Sequence, residues 1–260
     1  MMPDQRTATV HFGANRIATG LIECISNHLE KVLLSTSTKT ITRHEYVEHF
    51  RATMVASDKL GLLQGAVEPV LKHQKNLDAF KHIIISEHAL LGPVSDMLTK
   101  KTMFPKAKRR VQNLDNAFSD RQLDLHLAIA PQAECWTYLL ADDDIFPGPS
   151  DRAVPVHSWA DLVSRITAAC PRATLTVWNF EQPHQVMLPF LAALLDIDVE
   201  LIDPQTRKAL SQEACHHLKS AKLLSKIVQI DEELQTRMDA QYELDLIRID
   251  AMSKVTLRNG

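Results

Sequence analysis

The chain has 260 residues, 45% of them hydrophobic and 23% charged, with a formal net charge of −3. That length supports one substantial core, and the near-neutral balance excludes the basic excess of a nucleic-acid-binding domain. No apolar run approaches the roughly 20 residues of a membrane span, and Met1 to Arg6 lack the apolar stretch of a secretory signal. The expectation is therefore a single domain over residues 1–260, cytoplasmic, with no nucleic-acid partner. Cys24, Cys135, Cys170 and Cys215 are scattered, without a C-x-x-C pair or a histidine at ligand spacing, so neither zinc nor a disulfide framework is expected.

Residues 8–12 form a β-branched, apolar run followed by Gly13-Ala14-Asn15-Arg16-Ile17-Ala18-Thr19-Gly20. Ile17, Leu21, Ile25, Leu29 and Val32 then recur at helical spacing, which predicts a helix over about 18–33. Strand, glycine-bounded turn and helix together are the arrangement by which α/β proteins bind phosphate: unpaired N–H groups and the helix dipole meet the anion. A working P-loop requires G-x-x-x-x-G-K-[ST], whereas Leu21 and Ile22 follow Gly20 here. The loop is altered.

His44-Glu45-Tyr46-Val47-Glu48-His49 places its two histidines five residues apart where H-E-x-x-H requires four, so a solvated turn is expected and not a metal site. A second strand is predicted over 82–86. It ends in Ser86-Glu87-His88, a polar group where an open parallel sheet has its ligand crevice. Glu87 or His88 could take a proton from an acceptor hydroxyl, or Ser86 could cap a following helix whose first turn holds the other two. Lys106, Lys108, Arg109 and Arg110 read as a solvated helix face, with an anion site as the alternative.

A third strand is predicted over 123–129 and a fourth over 175–180. Asp142, Asp143 and Asp144, followed by prolines and Gly148, read as an acidic surface loop. Ser158-Trp159-Ala160-Asp161 reads as a capped helix start, with Leu162, Ile166 and Ala169 inward before Pro171. After Pro189 the pattern is helical, including a long stretch from about 205 to 252, so about 186–260 forms a helical C-terminal part. The alternation predicts an α/β fold of three layers, a mainly parallel open sheet covered on both faces.

In order and spacing these features resemble the sulfotransferases that use 3′-phosphoadenosine 5′-phosphosulfate (PAPS), the short bacterial members most of all. Gly13 to Gly20 aligns without a gap with their G-x-H-K-T-G-T-T loop. Phe104-Pro105-Lys106-Ala107-Lys108-Arg109-Arg110 is similar to their Y-P-x-A-x-x-R, and Leu175-Thr176-Val177-Trp178-Asn179-Phe180-Glu181 to their V-W-x-[YF]-E strand. Tyr242-Glu243-Leu244-Asp245-Leu246 fits the Y-x-x-D-L of their last helix.

The resemblance implies a P-loop-like fold and a site for PAPS or its desulfonated form PAP. Gly13, Ala14, Asn15, Arg16, Thr19, Gly20 and Ser86 would contact the cofactor. Arg16 would serve the 5′-phosphosulfate, with Glu87 or His88 as base and no metal. The departures fall on the cofactor. Arg16 replaces the loop lysine, Ile17 and Gly20 replace hydroxyls, and the arginine and serine that hold the 3′-phosphate are replaced by Ala130 and Tyr138. Charged phosphate contacts contribute roughly 1.5–3 kcal/mol each, so the loss weakens PAPS binding by roughly two to four powers of ten. Two readings follow: a non-catalytic protein for another anionic ligand or a protein partner, or an active enzyme on a hydroxyl acceptor, with Arg207, Lys208 or Lys222 compensating.

Overall fold

The computed structural model describes residues 6–13, 29, 33–51, 76–92, 102–140, 155–208, 212 and 230–259. Six strands form one sheet: β1 (Thr7–Gly13), β2 (Thr38–Ile41), β3 (His82–Ser86), β4 (Gln122–Ile129), β5 (Thr174–Asn179) and β6 (Val255–Arg258). Their order is β2-β3-β1-β4-β5-β6, and every pairing is parallel. The helices that position the site are α1 (Ala107–Ala117), α2 (Gln132–Leu140), α3 (Trp159–Ala169), α4 (Pro183–Leu195) and α5 (Glu232–Asp250). The expected α/β architecture with a parallel sheet is present.

Strand alternation divides the sheet residues between two cores. Ala8, Val10, Phe12, Ile83, Ile85, Leu123, Leu125, Leu127, Leu175 and Val177 enter the larger core, together with buried residues of α1, α3 and α5. Ile84, Ala128 and Trp178 enter a smaller core with Leu29, Leu33 and the apolar side of α4. Both faces of the sheet are thereby covered.

The four predicted strands agree with those observed to within a residue at each end, Phe180 lying in the turn just after β5. Two further strands occupy the edges. β2 was not expected, and β6 interrupts the C-terminal part that the sequence pattern makes wholly helical. α4 begins at Pro183, ahead of Pro189, which sits inside it. Proline at the first turn needs no hydrogen-bond donor, and burial of Val186, Met187, Phe190, Leu191, Leu194 and Leu195 outweighs the donor lost at Pro189. The predicted start of α3 is present: Ser158 accepts from Asp161 N at 3.1 Å, and Leu162, Ile166 and Ala169 are buried. Apart from Leu29 and Leu33, the helix expected over 18–33 lies outside the described residues, as does the acidic loop at Asp142 to Asp144.

Candidate functional site at the carboxyl edge of the sheet

Because all strands are parallel, Gly13, Ser86, Ile129 and Asn179 end them at one edge. β1 is central, with β3 on one side and β4 on the other. The chain passes from β1 to the β2–β3 side and then crosses to β4, so the order reverses beside β1, where open α/β sheets bind ligands.

Gly13 closes β1 opposite Ala128. A β-carbon there would stand 2.8 Å from Ala128 O and 3.0 Å from Ala128 Cβ, so glycine is required by the β1–β4 approach itself. Ala14, Asn15, Arg16, Thr19 and Gly20, the remaining loop residues of the proposed anion site, lie outside the described residues.

Ser86 and His11 are paired in register across β1 and β3, and His11 Nδ1 lies 2.8 Å from Ser86 Oγ. Glu87 extends this edge by donating its N–H to His11 O at 3.0 Å. Its carboxylate accepts from Ala89 N at 2.9 Å, making Glu87, not Ser86, the cap of the 3-10 turn His88–Leu91. His88 is the first residue of that turn. Glu87 is 5% exposed, so the candidate base is withdrawn from solvent.

Arg110 departs from the solvated-face expectation. It is buried on α1, and its Nη1 donates to Ala89 O at 3.2 Å and Leu90 O at 3.0 Å. The arginine thus ties α1 to the turn after β3, while Lys106, Lys108 and Arg109 are exposed. Phe104, fully buried, has φ 45°. That strained backbone is held by Arg165, which donates to Phe104 O at 2.9 Å and also to Met103 O.

At the end of β4, Ala130 is 1% exposed within the larger core. Its carbonyl accepts the Trp159 indole N–H at 3.0 Å. Gln132, buried two residues later, accepts from His157 N at 2.8 Å and donates to His157 O. The segment following β4 is therefore a buried, hydrogen-bonded junction with the chain entering α3. Tyr138 lies on α2.

The other resemblance motifs also serve as connectors. Tyr242 OH donates to Asn179 Oδ1 at 2.6 Å, and burial raises the phenol well above its ordinary value. Asp245, fully buried, accepts from Ser158 Oγ at 2.6 Å and Trp159 N at 2.7 Å. Tyr242 and Asp245 fasten α5 to β5 and α3.

One polar arrangement was not singled out from sequence. Trp178 Nε1 donates to His126 Nδ1 at 3.0 Å, and His126 Nε2 lies 3.0 Å from Asp124 Oδ2. Indole is only a donor, so Nδ1 accepts and the imidazole proton sits on Nε2, directed at Asp124. Thr174 Oγ1 donates to the other carboxylate oxygen. Burial raises the Asp124 carboxyl, but hydrogen bonds from His126 and Thr174 outweigh it and hold the group below its ordinary range. His82 Nε2 lies 2.8 Å from Thr9 Oγ1, and burial depresses its imidazole despite the Asp196 and Asp124 carboxylates. The available signal was alternation: Thr9 and His11, Asp124 and His126, Thr174 and Thr176 each stand two apart.

His44 and His49 belong to a short helical turn that continues as a π-turn over Tyr46–Arg51. The wider turn brings both rings to one oxygen, Glu48 Oε2, at 3.4 and 3.6 Å. Among the described residues, no group of three His, Cys, Asp or Glu side chains is arranged to hold a metal ion. Cys135 and Cys170 are buried thiols outside any disulfide among the described residues, and burial pushes the Cys170 thiol up to about 12. Among the described residues, no helix is long and apolar enough to cross a membrane.

No family model matches the chain, and no curated protein matches it.

Proposed function

We propose that this chain is a sulfotransferase-like protein with an altered PAPS site, which binds a small anion at the carboxyl edge of its sheet without catalysing transfer. The observation that carries the reading is the burial of Ala130 beneath Trp159. By the resemblance, that position would carry the arginine for the cofactor's 3′-phosphate. An arginine there would place its charge in the apolar core, so the junction does not fit a PAPS clamp. The use of the Glu87 carboxylate as a turn cap points the same way, since a base needs its oxygen available to the acceptor. Arg16 and the backbone N–H groups of the loop would supply the anion contacts.

The second reading is an active PAPS-dependent sulfotransferase acting on a hydroxyl acceptor. It is favoured by Ser86, whose hydroxyl is anchored by His11 at the strand end beside β1. Titration calorimetry separates the two. Sulfate or phosphate is expected to bind, with Arg16→Ala weakening it, while PAP binds no more tightly than its analogue lacking the 3′-phosphate. Tight PAP binding selective for the 3′-phosphate, with sulfate transfer from PAPS, establishes the enzyme instead.

A further inference from the structure

Helix α5 carries two stripes of identical spacing on opposite sides. Met238, Tyr242, Asp245 and Ile249, at steps of four, three and four, are buried against the body of the protein. Ala240, Leu244, Ile247 and Ala251 repeat those steps two residues on, about 200° around the helix, and all four are exposed. Leu244 is 55% and Ile247 67% exposed, two of only four large hydrophobic residues so exposed among the described residues. The spacing is that of a coiled-coil seam, with Leu244 and Ile247 as central positions.

The flanking charges determine what fits this seam. Glu243 and Arg248, both exposed, stand at its g and e positions, and Asp250 at the next g. An antiparallel copy would oppose the two g rows, bringing Glu243 against the partner copy's acidic g residues. A parallel copy sets the g position of each helix against the e position five residues on in the other, joining Glu243 to the second copy's Arg248 twice over. Arg248 Nη2 donates to Asp161 at 2.9 Å and Nη1 to Ser158 Oγ at 3.4 Å, with Asp245 Oδ1 3.8 Å from Nη1. These contacts orient the guanidinium, whose five N–H donors exceed the two bonds and so allow a second copy's carboxylate.

We propose that the exposed stripe of α5 docks a second copy of this chain, in parallel, around a twofold axis along the helix. Leu244 packs on Leu244, Ile247 on Ile247, and Glu243–Arg248 pairs flank both sides. α5 runs from Tyr242, bonded at the carboxyl end of β5, to the turn that starts β6 opposite Leu175. It therefore lies along the strands, and the pairing turns both carboxyl edges to the same side.

Sedimentation equilibrium of the full chain, from about 10 µM to about 1 mM, is expected to show a monomer–dimer equilibrium, as suits a seam of only three turns. Leu244→Glu and Glu243→Arg are each expected to weaken dimerisation at least about tenfold while thermal unfolding remains cooperative. Charge logic supplies the control for folding. Glu243→Arg and Arg248→Glu chains each repel themselves, yet mixed together they regain complementary g–e pairs and should associate. A Leu244→Cys chain under mild oxidation should yield a 244–244 disulfide, since only parallel pairing brings these residues together. A monomer throughout the concentration range, no recovery in the mixture, or no 244–244 cross-link overturns the proposal.

Discussion

The two faces of the sheet are built on different principles. Toward α1, α3 and α5, β1, β3, β4 and β5 present apolar side chains to the larger core, save Asn179 at the end of β5, which accepts from Tyr242 OH. Toward α4, the same strands present Thr9, His11, His82, Ser86, Asp124, His126 and Trp178, joined pairwise by hydrogen bonds. Phe190 of α4 packs edge-on against His11 at 4.8 Å and Trp178 at 5.4 Å. Apolar burial is non-directional, so the first face contributes stability in proportion to area. The second demands that each donor meet its acceptor, so it contributes specificity of register and is sensitive to proton concentration.

The largest expected effect breaks the apolar face. Phe12 is fully buried, and Phe12→Ala should cost about 3–5 kcal/mol by removing transfer energy and leaving a cavity. Chemical denaturation should show that loss nearly independent of pH. A loss below about 1 kcal/mol would mean that the core collapses around the gap and that this face is not close-packed.

On the polar face, His126→Leu leaves the Trp178 indole N–H and the Asp124 carboxylate without their partner, at an expected cost of about 2–3 kcal/mol. Adding Trp178→Phe removes one orphaned group, so the double variant should lose less than the sum of the two single losses. Strict additivity in that cycle would show that the chain of hydrogen bonds carries no coupling. Gly13→Ala acts where β1 faces Ala128 of β4. A β-carbon 2.8 Å from Ala128 O forces the strands apart, at about 1–3 kcal/mol, and weakens any anion binding in the loop that follows. Unchanged stability together with unchanged sulfate affinity would remove Gly13 from both roles.

What the sequence revealed follows the same division. Central strands such as residues 82–86 were legible because two covered faces require continuous apolar runs. Thr38-Lys39-Thr40-Ile41 was not, because an edge strand with two threonines lacks that signature. Val255–Arg258 follows α5 after a four-residue turn, too short and too polar to stand out from a helical pattern. Pro189 is tolerated inside α4 because tertiary burial of the helix outweighs a local breaker, which places the helix start three residues ahead of the expected 186. At the candidate site, Ser86 and Glu87 were identifiable as polar residues ending an apolar run. Their partners were not, since His11 lies 75 residues from Ser86 and nothing local marks the pair. The same holds for Ser158: its cap was readable from the next three residues, but its bond to Asp245 spans 87 residues.

The smallest expected effect distinguishes the faces by pH. Burial holds the folded-state His82 imidazole below its ordinary value of 6.5, so as pH falls the unfolded chain takes up the proton first. The stability contributed by neutral His82 is thus fully present above about pH 6.5 and is lost as pH falls toward the depressed folded value. One proton limits the slope to about 1.4 kcal/mol per pH unit. Asp124 is also depressed, from an ordinary 3.8, but its contribution is lost only as pH falls through that still lower folded value, so the two windows separate. His82→Gln keeps a side chain able to bond Thr9 and removes the titration. Urea midpoints measured at half-unit steps between about pH 7 and pH 5 should fall less steeply in this variant than in the parent. An identical slope would transfer the acid sensitivity to other groups and leave the His82–Thr9 contact a neutral packing element.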